Sequence, residues 1–157
     1  MHARIQQGWR SVWAGLGLVL LLAGGGCQGM PTIQEQEQMV RDRQLTIWQV
    51  SPKAVEQVWG KPPYQFREFA HFFVMPDKSM IPRSRVPLGE PPEGWEGGVD
   101  AGNGVFWGYP DQGWLLVFFD DLLVYREELK PEKIHELGKK WQHEARFKTR
   151  LDGTPAK

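Results

Sequence analysis

The sequence predicts an α+β fold: short helices packed on one face of a three- to four-stranded antiparallel β-meander, followed by an amphipathic helix near the C-terminal end. Three observations carry this expectation. Residues 51–60 form a helix with a start and a stop written into it. Aromatic and β-branched runs follow, joined by connections too short for helical crossovers, which makes their pairing antiparallel. An apolar stripe then recurs at helical spacing from Ile134 to Ala145. With 157 residues, one domain is the default, and 12% aromatic residues is too many for a disordered chain.

The helix at 51–60 opens on Ser51, whose hydroxyl can accept an orphan N–H, and on Pro52, which suits the first helical position. Ala54, Val55, Val58 and Trp59 share one face, Gly60 fits a left-handed stop, and Pro62 and Pro63 prevent continuation. Upstream, residues 34–44 are rich in Gln, Glu and Arg with sparse apolar points at Ile33 and Val40, compatible with a surface helix or a spacer. Leu45, Ile47 and Val50 either open a strand or pack beneath the helix.

Residues 64–75 read as a strand whose alternation shifts phase near Glu68 and Phe69, so a bulge is expected there. Residues 105–109 form a second strand. Pro110-Asp111-Gln112-Gly113 supplies turn chemistry, and residues 114–119 form a third strand, apolar on both faces and therefore interior. Asp120-Asp121 interrupts the run before Leu122 and predicts a tight hairpin or a bulge. Between the first two strands, residues 76–103 hold five prolines and five glycines, which predicts a long irregular loop. Trp95 within it is a candidate partner contact, or alternatively a lid folded back on the core. The final helix is expected over residues 131–151, its stripe made by Ile134, Leu137, Trp141 and Ala145. Arg146, Lys148 and Arg150 gather at its end, either to dock lipid phosphates or an acidic partner, or as a solvated face that complements the helix dipole. Residues 152–157 are expected to be a disordered tail.

The chemistry of catalysis is sparse. Lys and Arg number 19 against 19 Asp and Glu, so there is no basic field for nucleic acid. The aromatic groups Phe106/Trp107/Tyr109 and Trp114/Phe118/Phe119 therefore read as core. His135 and His143 are eight apart, too far for the four-residue ligand spacing of helical zinc sites. The stretch Asp100-Ala101-Gly102-Asn103-Gly104 lacks the alternating ligands and terminal Glu of a calcium loop. No Gly-x-Ser-x-Gly, phosphate-binding loop or Cys/His couple is present. The expectation is no enzyme, no metal and no cofactor.

The N-terminal segment is a targeting signal. Arg4 and Arg10 precede an uncharged stretch, residues 11–26, ending in Gly24-Gly25-Gly26. As a helix this stretch rises about 24 Å, short of the roughly 30 Å hydrocarbon core. Cys27 is the sole cysteine, so it has no internal disulfide partner. Its place after Leu21-Leu22-Ala23-Gly24-Gly25-Gly26 resembles the bacterial lipobox, in which the cysteine is acylated and becomes the mature N-terminus. Gly24 stands where that motif usually has Leu. The resemblance implies a signal peptide over 1–26, a palmitate-bearing Cys27, a lipidated tether over 27–44 and a single domain over 45–151. Gln28 rather than Asp after the cysteine implies an outer-membrane address facing the periplasm. Cleavage removes Arg4 and Arg10, leaving 17 basic against 19 acidic residues, so the lipid rather than bulk charge is the membrane contact.

The order of lipobox, helix ending in Val58-Trp59-Gly60-Lys61-Pro62, Trp107-Gly108-Tyr109 and Leu116-Val117-Phe118-Phe119-Asp120-Asp121 resembles the small outer-membrane lipoproteins of the SmpA/OmlA (BamE-like) family. The likeness spans residues 51–125. It implies two helices on a three-stranded antiparallel sheet and a non-enzymatic role in outer-membrane protein assembly or envelope integrity, through contacts with partners such as the barrel-assembly machinery. The 76–103 insertion and the final helix depart from the family pattern. The alternative is a periplasmic ligand-binding or enzyme-inhibiting module that uses the 76–103 loop.

Overall fold

The computed structural model describes residues 29–147. Helices α1 (Ile33–Arg41) and α2 (Pro52–Trp59) precede β1 (Tyr64–Val74), β2 (Met80–Pro82), β3 (Gly98–Tyr109), β4 (Trp114–Phe119) and β5 (Leu122–Glu128); α3 (Pro131–Phe147) follows. The strands form one antiparallel sheet in the order β2-β1-β3-β4-β5. The fold is the expected α+β, with five strands rather than three or four. Helices cover both faces instead of one.

Helix α2 starts and stops as its residues dictate. Ser51 Oγ accepts the Ala54 N–H at 3.4 Å, and Gly60 sits at φ 80°, where a Cβ would be strained. Helix α1 corrects the tether expected over 27–44. Thr32 and Glu35 form a reciprocal capping box, and Val40 is fully buried. Gln36, buried between α1 and α2, ties them together. Its Nε2 donates to the Pro31 carbonyl at 2.8 Å, while its Oε1 accepts from the Ser51 backbone N–H at 2.9 Å and from Ser51 Oγ at 2.7 Å. The domain therefore begins near Thr32, because a polar residue at Gln36 is satisfied only inside the fold. The expected signal peptide and the expected tail lie outside the described residues.

Leu45 and Val50 are buried without forming a strand. The segment instead hugs the edge of β5, with the Leu123 N–H donating to the Val50 carbonyl at 2.8 Å and the Trp48 N–H to the Leu123 carbonyl at 2.7 Å. The two-residue turn Asp120-Asp121 has φ 48° and 59°, the double positive φ of a type I′ hairpin, and a register shift follows at Val117/Phe118. Both the hairpin and the bulge expected there are present.

Two expectations in the first half of the sheet are overturned. Strand β1 pairs with β3 in unbroken register from Tyr64↔Gly108 to Val74↔Gly98, with no bulge at Glu68 or Phe69. Its even-numbered residues face the core and its odd-numbered residues face outward, so Phe69 is an aromatic on the solvent side. The irregular loop of 76–103 also shrinks. Residues 80–82 form β2, Arg83–Arg85 make a 3-10 turn, and β3 starts at Gly98. Glycines do not exclude a strand here because they are needed for close approach: a Cβ on Gly102 would lie 2.5 Å from the Phe119 ring.

The two faces carry separate cores. Trp107, Tyr109, Leu116 and Phe118 pack under α1 and α2 with Val40, Leu45, Val50 and Val55. Phe66, Phe72, Phe106, Leu115 and Val117 face α3, whose Trp141 stacks on Phe66 with ring centres 5.9 Å apart and planes within 4°. Ile134 of α3 is fully buried, which contributes about 1.5–3 kcal/mol. Helix α3 lies so near β1 that a Cβ at Gly138 would meet the Tyr64 ring at 2.2 Å, while the Tyr64 hydroxyl bonds His135 Nδ1 at 2.9 Å.

Ala is a better helix former than Gly by about 1 kcal/mol, so propensity alone predicts that Gly138→Ala stabilises. Packing predicts the opposite sign. Urea denaturation of Gly138→Ala should show a loss of about 2 kcal/mol. Combining it with Tyr64→Ala should abolish that loss relative to Tyr64→Ala alone. A stabilised single variant would show that α3 does not rest on Tyr64.

Candidate functional site

The residues between the strands and beside β1 are positioned by a few polar ties. Trp95 packs edge-on against Phe73, ring centres 5.2 Å apart, and its Nε1 donates to the Gly98 carbonyl at 2.6 Å. The Arg83 guanidinium lies over the other ring position, 5.7 Å from the Phe73 centre, and Nη1 donates to the Pro87 carbonyl at 3.3 Å. Trp95 is thus half-buried as a lid on β1. It packs on the outward side of β1 rather than over either core.

The other predicted site residues fall at or beyond the limits of the description. Arg146 belongs to α3, and Cys27, Lys148 and Arg150 lie outside the described residues. The motif residues that suggested a family do converge. Trp59 meets Tyr109 edge-on at 5.3 Å, and the Tyr109 hydroxyl donates to the Gly60 carbonyl at 2.9 Å, capping the end of α2. Burial first, then the Glu56 charge, raises the Tyr109 phenol far above its ordinary range, so it remains a donor. Trp107 packs on Phe118 in the same core. These contacts are structural.

A second tie joins the turn after β2 to β5 across the sheet's curl. Arg85 Nε and Nη2 donate to the Glu127 carboxylate at 2.8 and 3.0 Å, and the Tyr125 hydroxyl donates to the same carboxylate at 3.1 Å. The bidentate geometry fits a planar guanidinium and raises the Arg85 pKa, the hydrogen bond to Glu127 being the main cause. Trp48 Nε1 adds a bond to the Lys78 carbonyl at 2.6 Å.

These ties leave a cleft of about 420 Å³ beside β1, walled by Phe69 and His71 on the strand and by Arg83, Ser84, Val86 and Leu88 opposite. Phe69 is 65% exposed and Leu88 94%. Sequence reasoning missed this cleft although its signal was present: the aromatic that broke the alternation at Phe69 marks an exposed ring instead of a bulge. Among the described residues, no group of three or more His, Cys, Asp or Glu is placed to hold a metal ion, and no helix is long and apolar enough to cross a membrane.

Comparisons with protein-family models, with curated proteins and with solved structures find no match to the chain.

Burial first, then the Glu127 charge and hydrogen bond, push the Tyr125 phenol up to about 12, against about 10 in the unfolded chain. The fold therefore favours the neutral phenol. Its contribution is complete below about pH 10 and is lost as pH rises toward 12, because the unfolded state releases the proton first. Chemical denaturation across that window should show falling stability, with a shallower fall for Tyr125→Phe. Phenolate absorbance should place the Tyr125 titration lower in Glu127→Gln; an unmoved titration would refute the coupling.

Proposed function

We propose that the protein is a non-enzymatic bacterial envelope lipoprotein, held to the membrane through acylated Cys27, whose body supports outer-membrane protein assembly or envelope integrity through protein–protein contacts. The observation that carries this is the position of the sole cysteine: directly after a charge-free stretch of residues 11–26 that follows Arg4 and Arg10. An exported chain with one thiol has no internal disulfide use for it, whereas two or three acyl chains there give durable anchoring.

The folded body is compatible with this role. Its motif residues Trp59, Trp107 and Tyr109 meet in one core, and the exposed apolar residues Phe69 and Leu88 line a cleft beside β1. An assembly role needs a tethered body that presents a contact surface, and Phe69 and Leu88 offer one. The outer-membrane address rests on Gln28 following Cys27.

Two measurements test the proposal. Labelled palmitate should be incorporated into the wild-type chain and lost in Cys27→Ser, with the variant leaving the membrane fraction. Crosslinking of the tagged protein in intact cells, followed by mass spectrometry, should recover envelope proteins of the barrel-assembly class. Persistent labelling of Cys27→Ser, or recovery of the native protein from the cytosol, would refute it.

A further inference from the structure

We propose that the open edge of β1 at Arg67, Phe69 and His71 accepts an extended segment of a partner protein as an added strand, with an apolar residue beside Phe69 flanked by acidic ones. This rests on the reading of the protein as one that works through protein contacts, and it names the surface and the chemistry of the partner.

Among the described residues, the ladder leaves this edge unfilled at Arg67, Phe69 and His71. In an antiparallel pair, bonded and non-bonded residue pairs alternate. The Met75 N–H donates to the Ser79 carbonyl at 2.9 Å, so one step on, Phe73↔Ile81 is a bonded pair and Phe72↔Pro82 is not. The same parity aims the N–H and C=O of His71, Phe69 and Arg67 toward the β2 side, while the even-numbered residues bond β3. Strand β2 pairs only with Phe72, Phe73 and Val74, and at Arg83 the chain turns away into the 3-10 turn. Among the described residues, no strand lies beside 65–71 on that side, and no group hydrogen-bonds to the backbone of Arg67, Phe69 or His71.

A row of unpaired donors and acceptors with pleat spacing is recognised by another extended backbone. The cleft lies beside this row, between His71 and Phe69 on the strand and Arg83, Ser84, Val86 and Leu88 opposite, and is where an added strand would enter. Side chains of the added strand that point to the Phe69 side would cover a ring now 65% exposed. The side chains on the Phe69 face and the far wall bring positive charge, although Glu68 also lines the cleft. Arg67 is exposed, two residues from Phe69 and so on its face, and has no ion pair among the described residues; Arg83 lines the cleft. Cross-strand pairing of opposite charges is favourable, so acidic residues belong beside the apolar one.

The test uses the full folded chain and a synthetic peptide of about seven residues in which Phe lies between two Glu, all separated by Thr. Amide hydrogen exchange at Arg67, Phe69 and His71 should slow about tenfold with this peptide, and much less with a Lys-for-Glu version. Protection should vanish when the peptide's ladder-facing amides are N-methylated, and also in Phe69→Ser, a substitution at an exposed position. Equal protection by the Lys version would overturn the charge assignment. Protection elsewhere, or by the N-methylated peptide, would overturn strand addition. Amides already protected without peptide would overturn the proposal too: protection that rises with protein concentration assigns the edge to a second copy, and protection lost on truncation after Phe147 assigns it to the chain's own terminal residues. In-cell crosslinking separates this from the functional reading, because a partner captured through another surface refutes the edge alone.

Discussion

Strand β4 carries apolar side chains on both faces, with Leu115 and Val117 pointing one way, Leu116 and Phe118 the other, and all four fully buried. A strand of this kind is stable only when each face of its sheet is covered. The chain meets that demand from its two ends. Helices α1 and α2, before the sheet, cover Leu116 and Phe118, and α3, after the sheet, covers the Leu115 and Val117 side. The first cover is not stable alone: α2 has only eight residues, and helices of that length are marginal in water without packing. The polar ties at Gln36, Tyr109 and Tyr64 fix where each helix lands. At Gln36 and Tyr109 the tie pairs a group whose burial without a partner would cost about 1–3 kcal/mol, whereas the Tyr64–His135 bond is exposed. Two indole nitrogens, of Trp107 and Trp114, are buried without such a partner among the described residues, so the cores accept some of that cost in exchange for ring packing.

How much of this was legible in the sequence follows from how local each signal is. The limits of α2, the interior place of β4 and the Asp120-Asp121 hairpin are written in caps, patterning and turn residues within a few positions of each other. Those expectations hold. The features that sequence reasoning missed depend on residues far apart. Residues 34–44 read equally as a surface helix or a spacer until Gln36 finds Ser51, fifteen residues on. Gly102 looks like a breaker until Phe119 arrives against it. The phase break at Phe69 looks like a bulge until the register with β3 shows the strand running straight and the ring left outside. Trp95 is half-buried against Phe73, while Phe69, His71 and Leu88 line the cleft.

The open edge itself follows from how β2 ends. Pro82 lacks an N–H, yet it occupies a non-bonded pair with Phe72, so the missing donor points away from β1 and costs the ladder nothing. The next bonded rung would pair His71 with Arg83. Arg83 is instead held over Phe73 and bonded to the Pro87 carbonyl, and Arg85 two residues later is clamped by Glu127 of β5. Once both arginines are held, the chain cannot continue along β1, and the clamp that curls the sheet toward closure is the same one that stops β2 short. Edge strands in isolated domains are commonly blunted by charge. Arg67 does this on one side of Phe69, but the ring between Arg67 and His71 remains 65% exposed. A rigid clamp, an unfinished ladder and an exposed aromatic beside it arise from one local choice of the chain's path, which is why the edge is more than a gap left by a short strand.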